Sequence, residues 1–478
     1  MFTGQVFAEK SEDSNDSADQ NKKEVIVSVE ANSQNQAAIE STDDAIISSA
    51  TLEQKGFQIS DSMLDGIQKD ATAMSDDFKM NVVQHMGLVY LVEYSETDYK
   101  DSEQAKKELE KTLKSMDMNV RYVQDNYSMH ALEQPVQTLE PMDVHPNQEW
   151  NYNMIHAPEA WNTTPGSNST KIAVLDTGID SNHKNLSNYV DTEAGESFVG
   201  GDTSDVQGHG THVAGTIASY GEVSGVMQEA TLIPVKVLDD DGSGSVYGIQ
   251  EGILYAASEG ADVINMSLGG GGYDQGMEEA IETANSEGTI VVAASGNDGM
   301  QNVSYPAAYD AAIAVGSVDS DEQRSYFSNY GPELDVMAPG GEIYSTVPGD
   351  GYDTLSGTSM ATPHVAGVVG LIRSADPSVT VDDARSILTQ TAQEAGSENE
   401  YGYGIVDAHA AVTEASDGNG GGEEPGEPDP EAPEWEAYTY YAVGDIVTFN
   451  GEEYVCEVAH YSLPNWDIPS ESPYWSLK

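Results

Sequence analysis

The apolar run KIAVL at residues 171–175 constrains the fold of this 478-residue chain more than any other segment, because it does not alternate apolar with polar residues. Such an uninterrupted run is typical of a parallel β-strand that is buried on both faces. Asp176 follows it directly, and open α/β sheets place their functional sites at the carboxyl ends of their strands. The run therefore predicts an α/β fold with a site at Asp176.

Two further segments place reactive side chains at the beginnings of predicted helices. His209 precedes the small-residue helix HVAGTIAS, and Ser359 opens the apolar helix SMATPHVAGVVGLI. Acyl transfer at a peptide bond needs a nucleophile, a base, and a carboxylate that fixes the tautomer of the base. Ser359, His209 and Asp176 supply these groups in turn. His212 and His364 fall inside the helices, so we expect them to be core residues.

These motifs, in this order, resemble those of the subtilisin-type serine proteases, and the resemblance covers roughly residues 145–415. It implies a mostly parallel sheet flanked by helices, and catalysis by Asp176, His209 and Ser359 through an acyl-enzyme. It also implies that Asn297, in VVAASGNDG, donates its amide to the oxyanion. Because no triad position is substituted, we interpret the chain as a serine endopeptidase. The alternative is a catalytically silent, polysaccharide-binding scaffold on the same fold.

The resemblance also implies two backbone edges, in NMSLGG and DDGSG, between which a peptide substrate lies as an added strand. Small residues before Asn297 leave a roomy, largely apolar slot for the substrate residue that precedes the cut. The predicted substrate-binding residues are Gly242, Ser243, Gly244, Ser267, Leu268, Gly269, Gly270, Ala294, Ser295, Gly296 and Ser304.

Residues 22–132 are predicted to form a separate ferredoxin-like α+β unit of β-α-β-β-α-β order. KEVIVSVEA and MGLVYLVEY are predicted strands, residues 34–49 and 102–116 helices, and NVRYVQDNYSMHAL one final strand. Residues 52–85 fit this order poorly and are interpreted as an insertion. The unit resembles the family's chaperone propeptide, which implies a folding template and inhibitor of its own protease. Its lysines indicate either a basic docking face or a solvated helix face.

The carboxyl end contains an acidic Gly/Pro linker at residues 416–433 and then a small all-β module at residues 434–478. Three of the five tryptophans lie in this module, which resembles the chitin-binding modules of secreted hydrolases. The resemblance implies that Trp466, in the loop PNWDIP, contacts the carbohydrate. Trp435 and Trp475 are expected in the core, since a module this small needs large buried aromatics. The alternative is that all three are core residues.

The net charge of -63 limits the partners and the solvent of this protein. Twelve of its 19 Lys and Arg residues lie at or before Arg121, so only seven follow, and six of these lie in the predicted peptidase region. Such a surface repels itself unless counter-ions screen it, which favours a halophilic or salt-tolerant source. Nucleic acid is excluded as a partner because its phosphates would be repelled.

Residues 1–21 are interpreted as a signal-peptide remnant with a disordered start, and residues 133–415 as the peptidase domain. We therefore expect a secreted, extracellular, monomeric protease that acts on protein substrates and has no membrane partner. Its other partners would be chitin or a related polysaccharide and its own propeptide. An intracellular processing protease is the competing interpretation.

No cofactor is expected for catalysis, and the metal ligands stay unknown. Many relatives hold calcium with the loop after the histidine helix and with an acidic residue. Here that loop, residues 219–230, is short and the acid position is Asn185. The acidic run at residues 239–241 is interpreted as solvated surface. A structural calcium ion therefore has no assignable ligands.

Overall fold

The computed structural model describes residues 22–30, 49–67, 75–132 and 146–416, together with short segments at 440–441, 446–449, 452–456, 460–461 and 475–477. The chain divides into two compact units, Met1–Gly420 and Gly421–Lys478.

The strands are β1 (Lys22–Val29), β2 (Phe57–Ser62), β3 (Leu88–Ser95), β4 (Val120–Asp125), β5 (Ser128–Ala131), β6 (Gly166–Asp176), β7 (Glu196–Ser197), β8 (Glu229–Lys236), β9 (Ser243–Ser245), β10 (Val263–Met266), β11 (Leu268–Gly269), β12 (Ile290–Ala294), β13 (Ile313–Val318), β14 (Val336–Pro339), β15 (Ile343–Val347), β16 (Gly351–Leu355), β17 (Tyr440–Tyr441), β18 (Ile446–Phe449), β19 (Glu452–Cys456), β20 (His460–Tyr461) and β21 (Trp475–Leu477). The helices are α1 (Ser49–Glu53), α2 (Met63–Gly66), α3 (Asp76–Met86), α4 (Ser102–Ser115), α5 (Pro146–Met154), α6 (Ala157–Ala160), α7 (His209–Ile217), α8 (Val246–Ser258), α9 (Gln275–Ser286), α10 (Thr358–Ala375), α11 (Val381–Thr391), α12 (Glu398–Tyr401) and α13 (Ala408–Ser416).

The first unit is built around a seven-stranded sheet of order β14-β13-β12-β10-β6-β8-β7, in which every neighbouring pair is parallel. Strand β6 lies inside the sheet between β10 and β8, and its residues from Ile172 to Leu175 are completely buried, because helices α8 and α10 pack against it. The α/β prediction is therefore confirmed. Asp176 is the last residue of β6 and lies at the carboxyl edge of the sheet.

Residues 22–132 contribute a four-stranded antiparallel sheet of order β2-β3-β1-β4, with α4 packed on β4. Its strand β1 is buried on both faces. Val25 and Val27 pack with Leu109 and Leu113 in a local core, whereas Ile26 joins the core of the parallel-sheet domain. Since neighbouring strand residues point to opposite faces, β1 contributes side chains to two hydrophobic cores. This sheet is thus packed directly against the peptidase region.

Two predictions for this region were wrong in detail. The stretch from Val120 to Ala131 is not one strand: it divides at residues 126–127, and β5 joins β9 and β11 in another sheet. The segment interpreted as an insertion supplies β2, a regular edge strand, and α3, which packs on α9. The helix predicted at 102–116 is confirmed as α4, whereas most of the one predicted at 34–49 lies outside the described residues.

The second unit contains a three-stranded antiparallel sheet, β18-β19-β21, and a β17-β20 pair. Trp475 is buried with Cys456, Tyr454 and Val447, as expected for a core residue. The predictions that Trp435 is a core residue and that Trp466 contacts carbohydrate concern residues outside the described part of the chain. Among the helices that are described, none has the length and apolar character needed to cross a membrane.

Candidate active site

Asp176 and His209 form a buried pair where β6 ends and α7 begins. The Nδ1 atom of His209 lies 2.8 Å from Oδ1 and 3.0 Å from Oδ2 of Asp176, and both side chains are fully buried. The backbone N–H of Thr177 donates to the same carboxylate at 2.7 Å. When Nδ1–H donates to a carboxylate, the lone pair of the neutral imidazole is at Nε2. The pair therefore holds His209 in the tautomer that a general base needs.

Ser359 is the second residue of α10, at the positive end of that helix. Its hydroxyl donates to the backbone oxygen of Ser267 at 2.9 Å, and the hydroxyl of Ser267 donates to the backbone oxygen of Ser359 at 2.8 Å. The nucleophile candidate is thus hydrogen-bonded to one of the two predicted substrate edges.

The side-chain amide of Asn297 has a fixed orientation. Its Oδ1 accepts hydrogen bonds from the backbone N–H and the hydroxyl of Thr358, both at 2.9 Å. The NH₂ group must therefore face away from Thr358, and it donates to the backbone oxygen of Leu132 at 2.8 Å. An N–H donor at this distance from a peptide carbonyl is what stabilisation of an oxyanion requires. Thr358 was missed in the sequence, because only the fold shows that it orients Asn297.

The two predicted substrate edges lie on either side of β5. On one side Leu268 pairs with Ala131 and Gly269 with His130, and Gly270 lies beside Met129. On the other side β9 pairs antiparallel with β5, with Ser243 opposite His130 and Gly244 opposite Met129. The ladder continues through Ala131 N–H to Gly242 O at 3.0 Å and Leu132 N–H to Ser267 O at 3.3 Å. The chain's own residues 128–132 therefore lie where an added peptide strand was predicted.

The remaining predicted residues meet beside Asn297. Ala294 and Ser295 are buried, Ser304 N–H donates to Ser295 O at 2.8 Å, and a Cβ on Gly296 would lie 2.4 Å from Ser304 Oγ. A Cβ on Gly269 would lie 2.8 Å from Cδ1 of Leu132. Gly269 therefore leaves room for the Leu132 side chain at this point.

His212 and His364 are fully buried, which confirms the prediction that they belong to the core. His212 Nε2 lies 2.9 Å from Ile343 O, and His364 Nε2 lies 2.9 Å from Asn151 Nδ2. Burial lowers the pKa of His212 to about 3 and that of His364 to about 4. Both imidazoles are therefore neutral at ordinary pH and carry no charge into the catalytic region.

Side-chain amides contact the backbone oxygens of the loop after α7. Asn185 donates to Val223 O at 3.2 Å, and Gln148 donates to Ser224 O at 3.1 Å and to Tyr344 O at 3.0 Å. These three backbone oxygens therefore accept hydrogen bonds from side-chain amides of the same chain. The part of the chain that the structure describes holds no cluster of three His, Cys, Asp or Glu residues suited to a metal.

The surface between residues 22–132 and helix α9, here called the docking surface, is rich in carboxylates. Arg121 forms an ion pair with Glu279, and Gln124 donates to Asp274 Oδ1 at 2.8 Å. Burial raises the pKa of both carboxyl groups, although Arg121 lowers that of Glu279 and the hydrogen bond from Gln124 lowers that of Asp274. Two buried acids, Asp274 and Glu279, thus lie in the docking surface. Among the described residues, one ion pair, Arg121–Glu279, joins its two sides.

The lysines of residues 22–132 pair mainly with acids of the same region, which favours the solvated-face interpretation over a basic docking face. The ion pairs are Lys22–Glu93, Lys23–Glu96, Lys55–Glu108, Lys100–Asp101, Lys106–Glu103, Lys106–Asp125, Lys111–Glu108 and Lys114–Glu110.

Residues 167–404 match the model of the Subtilase family, and residues 434–477 match Carbohydrate-binding module family 5/12. The chain is 46% identical over 268 residues to Subtilisin Savinase of Lederbergia lenta, a match covering 55% of this chain and 98% of that protein. It is 42% identical over 302 residues to M-protease of Shouchella clausii, covering 62% of this chain and 75% of the relative. It is 39% identical over 360 residues to Subtilisin amylosacchariticus of Bacillus subtilis, covering 73% and 89%.

Proposed function

Because the chain belongs to the subtilase family and is a serine endopeptidase with a carbohydrate-binding module, we propose that Asp176, His209 and Ser359 carry out its peptide hydrolysis. His209 takes the Ser359 proton as Oγ attacks the scissile carbonyl, and returns it to the leaving amine. Asp176 orients the imidazole and stabilises its cation. Asn297 Nδ2 and the Ser359 N–H stabilise the oxyanion, and water then hydrolyses the acyl-enzyme.

One observation carries this proposal: Asn297 donates to the Leu132 carbonyl at the end of a strand held by both substrate edges. The competing interpretation is a catalytically silent scaffold. A fluorophosphonate probe separates the two, because it forms a covalent adduct only with an activated serine. An adduct mapped to Ser359 supports the enzyme, and a protein that stays unlabelled after removal of residues 22–132 refutes it.

We also propose that residues 22–132 are a propeptide that the enzyme removes by cutting the Leu132–Glu133 bond. The Leu132 carbonyl is the group bonded to Asn297, and β5 runs between the edges in the direction expected of residues before a cut. After cleavage, β5 would stay between the two edges as a product and inhibit the enzyme. Sequencing the amino terminus of the matured protein tests this, since Glu133 should be its first residue.

The residue before the cut should be large and apolar. The slot is lined by small residues and holds Leu132 beside Gly269, while an acidic residue would lose water inside a strongly acidic protein. In peptides that differ only at this position, we expect kcat/KM for Phe and Leu to exceed that for Glu by about 100-fold, with Lys between them. The same residues placed two positions after the cut serve as the control. A preference for Glu would contradict the assignment.

We propose that the protein is secreted. The support is the propeptide resemblance and the carbohydrate-binding module, both of which suit an enzyme that acts outside the cell. An intracellular processing protease is the alternative. Expression of the complete natural gene decides between them, because a secreted enzyme accumulates in the culture medium and a processing protease stays in the cells.

Salt should stabilise this enzyme. Only seven of its cations follow Arg121, so most of the carboxylates of the peptidase region have no cation to pair with. The Debye length falls from about 30 Å at 0.01 M salt to about 3 Å at 1 M, which removes most of the repulsion. We expect Tm of the Ser359→Ala protein to rise steadily with sodium chloride over that range. Potassium chloride at equal ionic strength is the control, because it should raise Tm equally if screening is the cause, and a Tm indifferent to salt would contradict the salt-adapted interpretation.

The carboxyl-terminal module should attach the enzyme to insoluble chitin through Trp466. The family 5/12 match supports carbohydrate binding, and Trp475 is buried in the core of the module. An exposed aromatic face can stack on a sugar ring, and the linker raises the local concentration of protease on the polymer. We therefore expect chitin beads to deplete the Ser359→Ala protein from solution, and the additional change Trp466→Ala to lower this binding about tenfold or more.

Matched controls make the chitin result decisive. Circular dichroism establishes that the Trp466→Ala protein is folded, and agarose beads give the background retention. If the parent protein stays in the supernatant, or if the folded Trp466→Ala protein binds chitin equally well, the assignment of Trp466 is wrong.

A further inference from the structure

The geometry points to Asp205 as a positioning residue for the Asp176–His209 pair, an inference that rests on the proposed function of that pair. Asp205 lies in the loop before α7 and is 6% exposed. Its carboxylate accepts four hydrogen bonds, all from residues that flank the pair. A buried carboxylate normally has such partners, but the identity of these partners connects it to catalysis.

The two oxygens of Asp205 together bind the segments that carry both members of the pair. Oδ1 accepts from the hydroxyl of Thr177 at 2.9 Å, directly after Asp176, and from the N–H of Gly208 at 2.8 Å, directly before His209. Oδ2 accepts from the N–H and hydroxyl of Thr211 at 2.8 and 2.6 Å, in the first turn of α7. One carboxylate thus links the end of β6 to the start of α7.

Further contacts extend this link to the reacting carboxylate itself. Thr177 donates its N–H to Asp176 Oδ1 at 2.7 Å, and its hydroxyl oxygen accepts from Gly210 N–H at 3.0 Å. The ammonium group of Lys236, which is 4% exposed, donates to Thr177 O at 2.6 Å and Ser204 O at 3.1 Å. In the turn after Asp176, Asp205 therefore binds the side chain of Thr177, and Lys236 binds its backbone oxygen.

Glycine at position 210 brings the strand end and the helix start into direct contact. A Cβ there would lie 2.1 Å from Gly178 O and 3.1 Å from the Cβ of Asp176. No side chain can therefore act as a spacer between them. The hydrogen bonds of Asp205 fix their separation instead, and with it the distance across which His209 donates to Asp176.

An amide cannot replace this carboxylate. Four donors converge on two oxygens, whereas the side chain of asparagine has one oxygen and an NH₂ group that would face two of the donors. The buried N–H of Thr211 or of Gly208 would then lose its acceptor. The partners of Asp205 do not include Ser359 or the substrate strand, so we expect the loss in kcat rather than in KM.

The test compares Asp205→Asn with Asp202→Asn in the mature enzyme, using a peptide substrate and rates normalised by fluorophosphonate titration of active sites. Asp202 is exposed on the same loop and accepts from Ser204 N–H at 3.0 Å, so it is a matched control. For Asp205→Asn we expect kcat per active site to fall about 10- to 100-fold, with KM changed less than about threefold. Asp202→Asn should keep the parent values.

The pH profile supplies a measurement that a purely structural role would not change. Removing the negative charge of Asp205 disfavours the imidazolium form of His209, so the acid limb of the kcat/KM profile should move to lower pH. If Asp205→Asn does not fold, Thr211→Val keeps the shape and removes the hydroxyl that donates to Asp205 and accepts from Asp180 N–H, so it should lower kcat per site about three- to tenfold.

Two outcomes would overturn the assignment of Asp205: a variant with the parent kcat per site and pH profile, or one in which only Tm or the number of titratable sites falls. Failure of the proposed function looks different, since the parent enzyme itself would then show no hydrolysis that depends on Ser359.

Discussion

Replacing Ser359 by alanine should lower kcat for peptide hydrolysis by about six orders of magnitude, which is the scale established for loss of the nucleophile in subtilisin itself. The physical reason is the loss of the only atom that can form the acyl-enzyme, at the start of α10 and within 2.9 Å of the substrate edge at Ser267. The residual rate would come from the oxyanion donors and from substrate binding. Steady-state kinetics on the parent and the variant, both prepared without residues 22–132, measure this loss.

The same variant should also remain a full-length precursor. Ser374→Ala, at the opposite end of α10, is a suitable control, because its hydroxyl donates to Gly370 O within the helix and lies far along the chain from the nucleophile. That control should mature and hydrolyse peptides normally. If the pure Ser359→Ala precursor still loses residues 22–132 with no other protease present, self-processing is refuted.

Replacing Asn297 by alanine should lower kcat by about 10²- to 10³-fold, again the scale established for the equivalent change in subtilisin. The donor at Nδ2 lies 2.8 Å from the carbonyl oxygen of Leu132, and it acts most strongly when that oxygen becomes negative. KM should therefore change only a few-fold. We expect kcat for peptide hydrolysis, measured by steady-state kinetics, and the rate of precursor cleavage to fall together.

Asn188→Ala, on an exposed part of the surface, provides the control for that experiment. It should leave both rates unchanged. A variant of Asn297 that raises KM and keeps kcat would mean that the amide only binds the substrate, and the oxyanion role would have to be abandoned.

The parallel sheet and the candidate site could be predicted because short, continuous segments of the sequence indicate both the secondary structure and the reactive side chains. The run at residues 172–175 is apolar throughout because β6 is buried on both faces. Asp176 and His209 lie at element ends, so a prediction of the elements also placed the side chains. The role of Thr358 could not be predicted, because its contact with Asn297 joins residues 61 positions apart.

The division between β4 and β5 could not be predicted for a different reason. Only β4, with Val120, Tyr122 and Val123, has high β-propensity, and the sequence pattern does not show where a chain leaves one sheet for another. That change is determined by the edges at Gly244 and Leu268, which are distant in sequence. Strand β2 was missed because it is an edge strand of mixed burial, so it lacks a continuous apolar run.

The buried carboxylates of the docking surface have a consequence for proton uptake. Burial raises the pKa values of Asp274 and Glu279, and residues 22–132 contribute to that burial, so their release would lower both pKa values towards the ordinary carboxyl range. Association is therefore linked to binding of protons: it is tightest in acid and weakens as pH rises through the raised values. At pH values above both raised pKa values, Asp274 and Glu279 are both negative and desolvated in the complex, and Arg121 offsets only part of this charge. The cleaved segment should thus leave its enzyme more readily in neutral or alkaline surroundings than in acid.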